Sequence, residues 1–158
     1  MNPAVKAGFS FGLTSGIITT LGLMVGLNAG THSQLAVIGG ILTIAIADAF
    51  SDSLGVHVSQ ESENQHSNKE VWESTIATFV AKLFFALTFL VPVLLLPLQE
   101  AVIASIGYGL VLIALLSFFI ARPEKTKPWK AIAEHLGIAI AVIIATNFVG
   151  IWIAGIFV

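Results

Sequence analysis

Apolar residues fall into five stretches long enough to cross a bilayer, residues 7–28, 34–57, 76–98, 101–121 and 136–158. A helical crossing takes about 20 residues, whereas a barrel strand takes about 9–11 and alternates polar with apolar side chains. These stretches neither alternate nor stop short, so the pattern predicts an all-α, polytopic membrane protein with five transmembrane helices in one transmembrane domain, residues 1–158. The first stretch exceeds the roughly 7–15 residue apolar core of a signal peptide, and Lys6 is the only cation before it, so a retained helix is expected. Polar breaks are expected at 30–33, at 59–74, in a tight turn at Gln99-Glu100, and at 122–130. Pro92 and Pro97 are expected to kink or end the outer part of the third helix, because proline removes an intrahelical hydrogen bond.

Composition narrows the class. Of the 158 residues, 56% are hydrophobic and 10% charged, against about 45–50% and about 25% in soluble domains. That is too little charge to cover a wet surface, and disorder needs the opposite composition. Lys and Arg number 7 against 9 Asp and Glu with no basic stripe, so no nucleic-acid partner is expected. The chain has no cysteine, which removes disulfides, thiolate zinc sites, iron–sulfur clusters and cysteine nucleophiles. Phosphate-loop, nucleophile-elbow and zinc-protease signatures are also missing. The expectation is a protein that is not an enzyme, has no permanently bound cofactor and has the lipid bilayer as its surroundings.

The cations then orient the chain. The first and third connections carry no Lys or Arg, while the second and fourth carry five between them: Lys69, Arg122, Lys125, Lys127 and Lys130. By the positive-inside rule the N-terminus is cytosolic and, after five crossings, the C-terminus is outside. The membrane would be the cell membrane in a prokaryote and a vacuolar-type membrane in a eukaryote.

The strongest chemical signal is in the second stretch, where Asp48 and Asp52 lie one helical turn apart within hydrocarbon. Ser51, Gly55, Ser59, Ser62 and Glu63 fall within about 60° of Asp48 on the helical wheel, a continuous polar stripe. Ile46, Phe50 and Leu54 occupy the opposite side, suited to lipid or packing, and His57 is expected to be a packing or interfacial residue. An acid at mid-membrane costs roughly 2.5–3.5 kcal/mol on insertion scales, so two of them require compensation. They form either a cation or proton site or a buried structural pair matched to Lys82. Lys82 itself is expected to snorkel past Thr78 toward Glu73. The alternative is that it points inward as a tethered competitor for a cation.

Two further features bear on function. The first stretch carries two glycine ladders, Gly8/Gly12/Gly16 and Gly22/Gly26/Gly30, on different faces. Small residues four apart let helices approach closely in lipid, within one protomer or between the two copies of an expected homodimer. Between the ladders, Ser15 and Thr19 bring hydroxyls to mid-membrane depth. In the second connection Glu63, His66, Glu70 and Glu73 would align if the second helix ran on into water. That carboxylate and imidazole set suits a divalent transition metal.

The sequence Ser15-Gly16-Ile17-Ile18-Thr19-Thr20-Leu21 with Gly26, then Ala47-Asp48-Ala49-Phe50-Ser51 with Gly55, Ser59 and Ser62-Glu63, resembles the vacuolar iron transporter family. The resemblance is close over the first two helices and weaker beyond them. It implies a homodimeric exporter moving Fe²⁺ or Mn²⁺ out of the cytosol against protons, with five membrane helices. Asp48 and Glu63 match positions where family members carry acids. Family members commonly have Asp-Gly where this chain has Ser15-Gly16, Ser-Met where it has Ser51-Asp52, and Gly-x-Tyr where it has Gly55-Val56-His57. The three-helix cytosolic domain of plant-type members is replaced by the acid-rich connection 61–73. Asp52 can then stand in, from the facing helix, for the missing first-helix acid. Loss of the methionine favours a harder ion such as Mn²⁺.

The resulting expectation is a membrane metal site of Asp48 and Asp52 supported by Ser15, Thr19 and Ser51, fed by Glu63, His66, Glu70 and Glu73 at the cytosolic mouth. A non-transporting membrane scaffold or assembly subunit and a proton- or sodium-conducting component are the competing functions. The paired aspartates speak against the scaffold. The cytosolic acids are surplus to a proton or sodium conductor.

Overall fold

The computed structural model describes residues 2–121 and 128–157, so Arg122, Lys125 and Lys127 of the fourth connection lie outside the described residues. The chain forms α1 (Pro3–Thr31), α2 (Gln34–Glu63), α3 (Asn68–Thr88), α4 (Leu90–Leu95), α5 (Leu98–Ala121) and α6 (Pro128–Phe157), with no strand among the described residues. The five expected crossings are present, the third made of α3 and α4 together.

Local chemistry explains the helix ends, several of which lie beyond the apolar stretches. The Asn2 side chain accepts from the Ala4 N–H to start α1, and the Ser33 hydroxyl accepts from the Ala36 N–H to start α2. These bonds satisfy N–H groups that have no partner within the helix. His32 and Asn64 close α1 and α2 in the left-handed conformation. Asn tolerates that region because its short polar side chain bonds locally. The second connection is therefore only 64–67, much shorter than the expected break at 59–74. Ser67 and Glu70 form a reciprocal capping box that starts α3 in polar sequence.

Pro92 breaks the third crossing as expected. It has no N–H to give Thr88, and the helix is interrupted between α3 and α4. The following turn is at Leu96–Pro97, and Gln99 and Glu100 already belong to the first turn of α5. Leu96 is extended, with φ −122° and ψ 157°, as the residue before a proline must be.

α1 is the hub of the bundle, packed against α2 and α3 on one side and α5 and α6 on the other. Its Leu13, Ile17, Leu21 and Met24 form the core with Ile41, Phe89 and Ile113. Both glycine ladders are used inside the protomer. Gly8, Gly12 and Gly16 lie against the backbone of Ser74, Thr78 and Lys82 on α3, and Gly22, Gly26 and Gly30 lie against Val142, Thr146 and Gly150 on α6. A Cβ at Gly8 or Gly12 would overlap a carbonyl oxygen of α3, and one at Gly30 would sit 3.3 Å from the Gly150 oxygen. Gly22, Gly26 and Gly30 also border an open apolar groove among α1, α2 and α6, so that face of the first helix is not fully covered within the protomer. Ile46, Phe50 and Leu54 of α2 are exposed on the outside of the bundle, where a hydrocarbon-facing surface is expected.

Candidate cation site

The i, i+4 spacing of Asp48 and Asp52 turns both carboxylates from α2 toward α3. There they meet Lys82, whose side chain is 1% exposed. Lys82 Nζ lies 2.7 Å from Asp48 Oδ2 and donates to Asp52 Oδ2. The contact with Asp48 is an ion pair without hydrogen-bond alignment, since Asp48 Oδ2 accepts no hydrogen bond. From α1, Ser15 donates its hydroxyl to Asp52 Oδ2 at 2.6 Å and accepts from Lys82 Nζ at 2.8 Å. Three helices thus meet on one cluster of two formal negative charges and one positive.

The expectation that Lys82 snorkels is overturned, and the reason lies in the packing of α1 on α3. Gly12 and Gly16 have no side chains, so α1 lies directly on the backbone of Thr78 and Lys82. That closes the route past Thr78 to the cytosolic edge, and the ammonium finds its oxygens inward. A signal for this was present in the sequence: Ser74, Thr78 and Lys82 repeat every four residues, in step with Gly8, Gly12 and Gly16.

A cavity of about 560 Å³ opens between α1 and α2 and runs along the polar stripe. Its lining includes Asp52, Ser51, Gly55, Ser59, Glu63 and His66. Glu63 is eleven residues from Asp52 on a continuous helix, about 16 Å along the axis at 1.5 Å per residue. At the outer rim His66 Nε2 is 3.3 Å from Glu63 Oε2. On the wall, Gln60 donates to the Ser74 hydroxyl at 3.0 Å. The sequence reading did not single out Gln60 or Ser74.

The other expected site residues are placed elsewhere. Glu70 accepts from the Ser67 N–H at 2.9 Å and from its hydroxyl at 2.8 Å, so its carboxylate caps α3. Glu73 pairs with Lys69 at 3.7 Å and accepts from the Asn2 side chain, tying α3 to the start of α1. The four mouth residues do not form one stripe, because Asn64 ends α2 before His66. Thr19 donates to the Ser15 carbonyl at 2.8 Å and borders an apolar groove among α1, α2 and α6. Among the described residues no three His, Asp or Glu side chains converge.

His57 and His135, outside the stripe, have structural partners. His57 Nδ1 is 2.9 Å from the Thr75 hydroxyl, and its ring meets Trp72 edge-on, in line with the packing role expected for it. His135 Nδ1 is 2.8 Å from the Ser117 hydroxyl.

Residues 9–73 match the VIT family model. The match covers Ser15, Asp48, Asp52 and Glu63 and stops short of Lys82, so the resemblance read from the first two helices is borne out. The match spans the first two helices and the start of the third, less than half of the chain, and the likeness is to a family of membrane metal-ion transporters. No curated protein and no solved structure matches the chain.

Proposed function

We propose that this protein exports a divalent metal ion, Mn²⁺ or Fe²⁺, from the cytosol in exchange for protons, with Asp48 and Asp52 as its membrane ligands. The observation that carries this reading is the cavity that leads from Glu63 and His66 down to Asp52. A passage that carries polar side chains and ends on a carboxylate within a membrane serves ion transfer, and a scaffold has no use for it. The oxygen donors of Asp48, Asp52, Ser15 and Ser51 suit a harder cation than a methionine site would.

Carboxylates bind metal in their ionised form, so metal and protons are alternative occupants of one site. Alternating occupancy on the two sides of the membrane is antiport. Lys6, Lys69 and Lys130 begin α1, α3 and α6 at the end of the bundle that carries Glu63 and His66. The positive-inside rule makes that end cytosolic. On this reading the N-terminus is inside, the C-terminus is outside, and the metal arrives at Glu63 from the cytosol. The working unit is a homodimer packed through the first helix, whose Gly22, Gly26 and Gly30 border an open apolar groove among α1, α2 and α6.

The test is Mn²⁺ and Fe²⁺ flux into liposomes carrying the purified protein and a pH dye inside. Metal uptake should move protons the other way, and Asp52→Asn should abolish both. Metal flux without proton movement overturns the antiport reading, and undiminished flux in the variant overturns the site.

A further inference from the structure

We infer that the Lys82 ammonium is a tethered stand-in for the transported cation: it holds the aspartate site when cargo is absent and must leave when cargo binds. This rests on the reading of Asp48 and Asp52 as the cation ligands, and it adds to that reading the group with which the cargo competes. Lys82 is one of the largest fully buried side chains in the protein. Its nitrogen draws on oxygens of Asp48, Asp52 and Ser15 from two other helices, as a hard metal ion would. The same Asp52 oxygen that faces Lys82 and Ser15 belongs to the residue at the floor of the cavity. A cation descending the stripe therefore meets a carboxylate already engaged, and the two positive charges exclude each other there.

The arrangement solves a problem that a transporter without such a group would face. Two ionised carboxylates left bare in hydrocarbon are costly, and so is removing one partner of a buried ion pair. A lysine charge on a flexible four-carbon stem can withdraw and return. The cavity beside Asp52 provides space next to the site. On return Lys82 covers both carboxylates, so the empty carrier crosses between its two orientations with most of its site charge balanced. Gly16 supports this by letting α1 seal the lysine from lipid: a Cβ there would stand 3.0 Å from the Lys82 carbonyl oxygen and 3.3 Å from its Cα.

The absence of cysteine from the chain gives a direct test. Mn²⁺ binding to the full chain in lipid nanodiscs is read from the electron spin resonance of the free ion, for the parent and for Lys82→Cys. The variant is then modified with an aminoethyl methanethiosulfonate, which restores an ammonium one bond beyond lysine's length, or with the neutral methyl reagent. Lys82→Cys should bind Mn²⁺ at least ten-fold tighter than the parent. The aminoethyl adduct should return to within about two-fold of the parent, and the methyl adduct should stay tight. If Lys82→Cys does not fold, Lys82→Gln replaces it, because its amide can still donate to Asp52 and Ser15, and the same gain is expected. A variant that binds no tighter than the parent, or two adducts that bind alike, overturns the inference. Liposome flux separates this failure from that of the transport reading. Parental flux with no gain on removing Lys82 leaves transport standing without the tethered cation. A charge-dependent gain with no parental flux leaves the tethered cation standing without transport. No Mn²⁺ binding by any form overturns both.

Discussion

Ser15 on α1 and Asp52 on α2 are joined by a hydrogen bond of 2.6 Å, donated by the serine. The bond spans two helices and fixes the orientation of the Asp52 carboxylate, which lies one turn from Asp48 on α2, and both carboxylates face Lys82.

The first prediction follows from that arrangement. Asp52→Asn should abolish Mn²⁺ flux, and Asp48→Asn should abolish it or reduce it at least ten-fold, both measured in liposomes at matched protein content. Asp52 should be the more sensitive because it alone lines the cavity and also holds Ser15. Parental flux in the double variant would show that the ion takes another path.

At the cytosolic rim the acids should divide by position. Glu63→Gln should raise the metal concentration for half-maximal flux several-fold, since Glu63 lines the cavity beside His66. Glu70→Gln should leave that concentration unchanged, because glutamine serves equally in a capping box. Ser67→Ala removes the cap itself and should cost about 0.5–2 kcal/mol of stability. An equal shift for Glu63→Gln and Glu70→Gln would mean that both acids gather the ion.

Glycine substitutions should sort by what lies opposite. Gly12→Ala drives a Cβ into the Thr78 carbonyl and should destabilise the protomer by about 1–3 kcal/mol, as overpacking does. Gly137→Ala meets nothing within 4 Å and should leave the melting temperature in detergent unchanged or slightly raised. A Gly12→Ala protein with parental melting and a lower oligomeric mass would return the first ladder to a contact between copies.

Orientation is open to cysteine labelling, and the cysteine-free background makes every label specific. Thr31→Cys, at the end of α1 away from Lys6, should react with an impermeant thiol reagent added outside intact cells. Lys125→Cys should react only after the membrane is opened. The reverse pattern would invert the topology and with it the direction of transport.

Length and hydropathy alone determined the crossings, because hydrocarbon admits only apolar helices with every backbone group paired internally. The polar stripe on α2 was equally legible: a helix repeats every 3.6 residues whatever surrounds it, so Asp48, Asp52, Gly55, Ser59 and Glu63 share a face before any partner is known. The Pro92 break needed nothing beyond the chain. Lys82 was different. Its reach allows either the interface or the site, and the choice depended on how closely α1 approaches α3 through Gly12 and Gly16. Glu70 and Glu73 likewise have the right chemistry for a metal mouth, but they are engaged by Ser67, Lys69 and Asn2 once Asn64 ends α2. The two ladders were visible as close-approach surfaces, and their partners became known only when α1 took the centre of the bundle. Local periodicity is set by covalent geometry and the solvent. Which long side chain meets which acid is set by contacts between helices distant in sequence, and only the tertiary structure decides that.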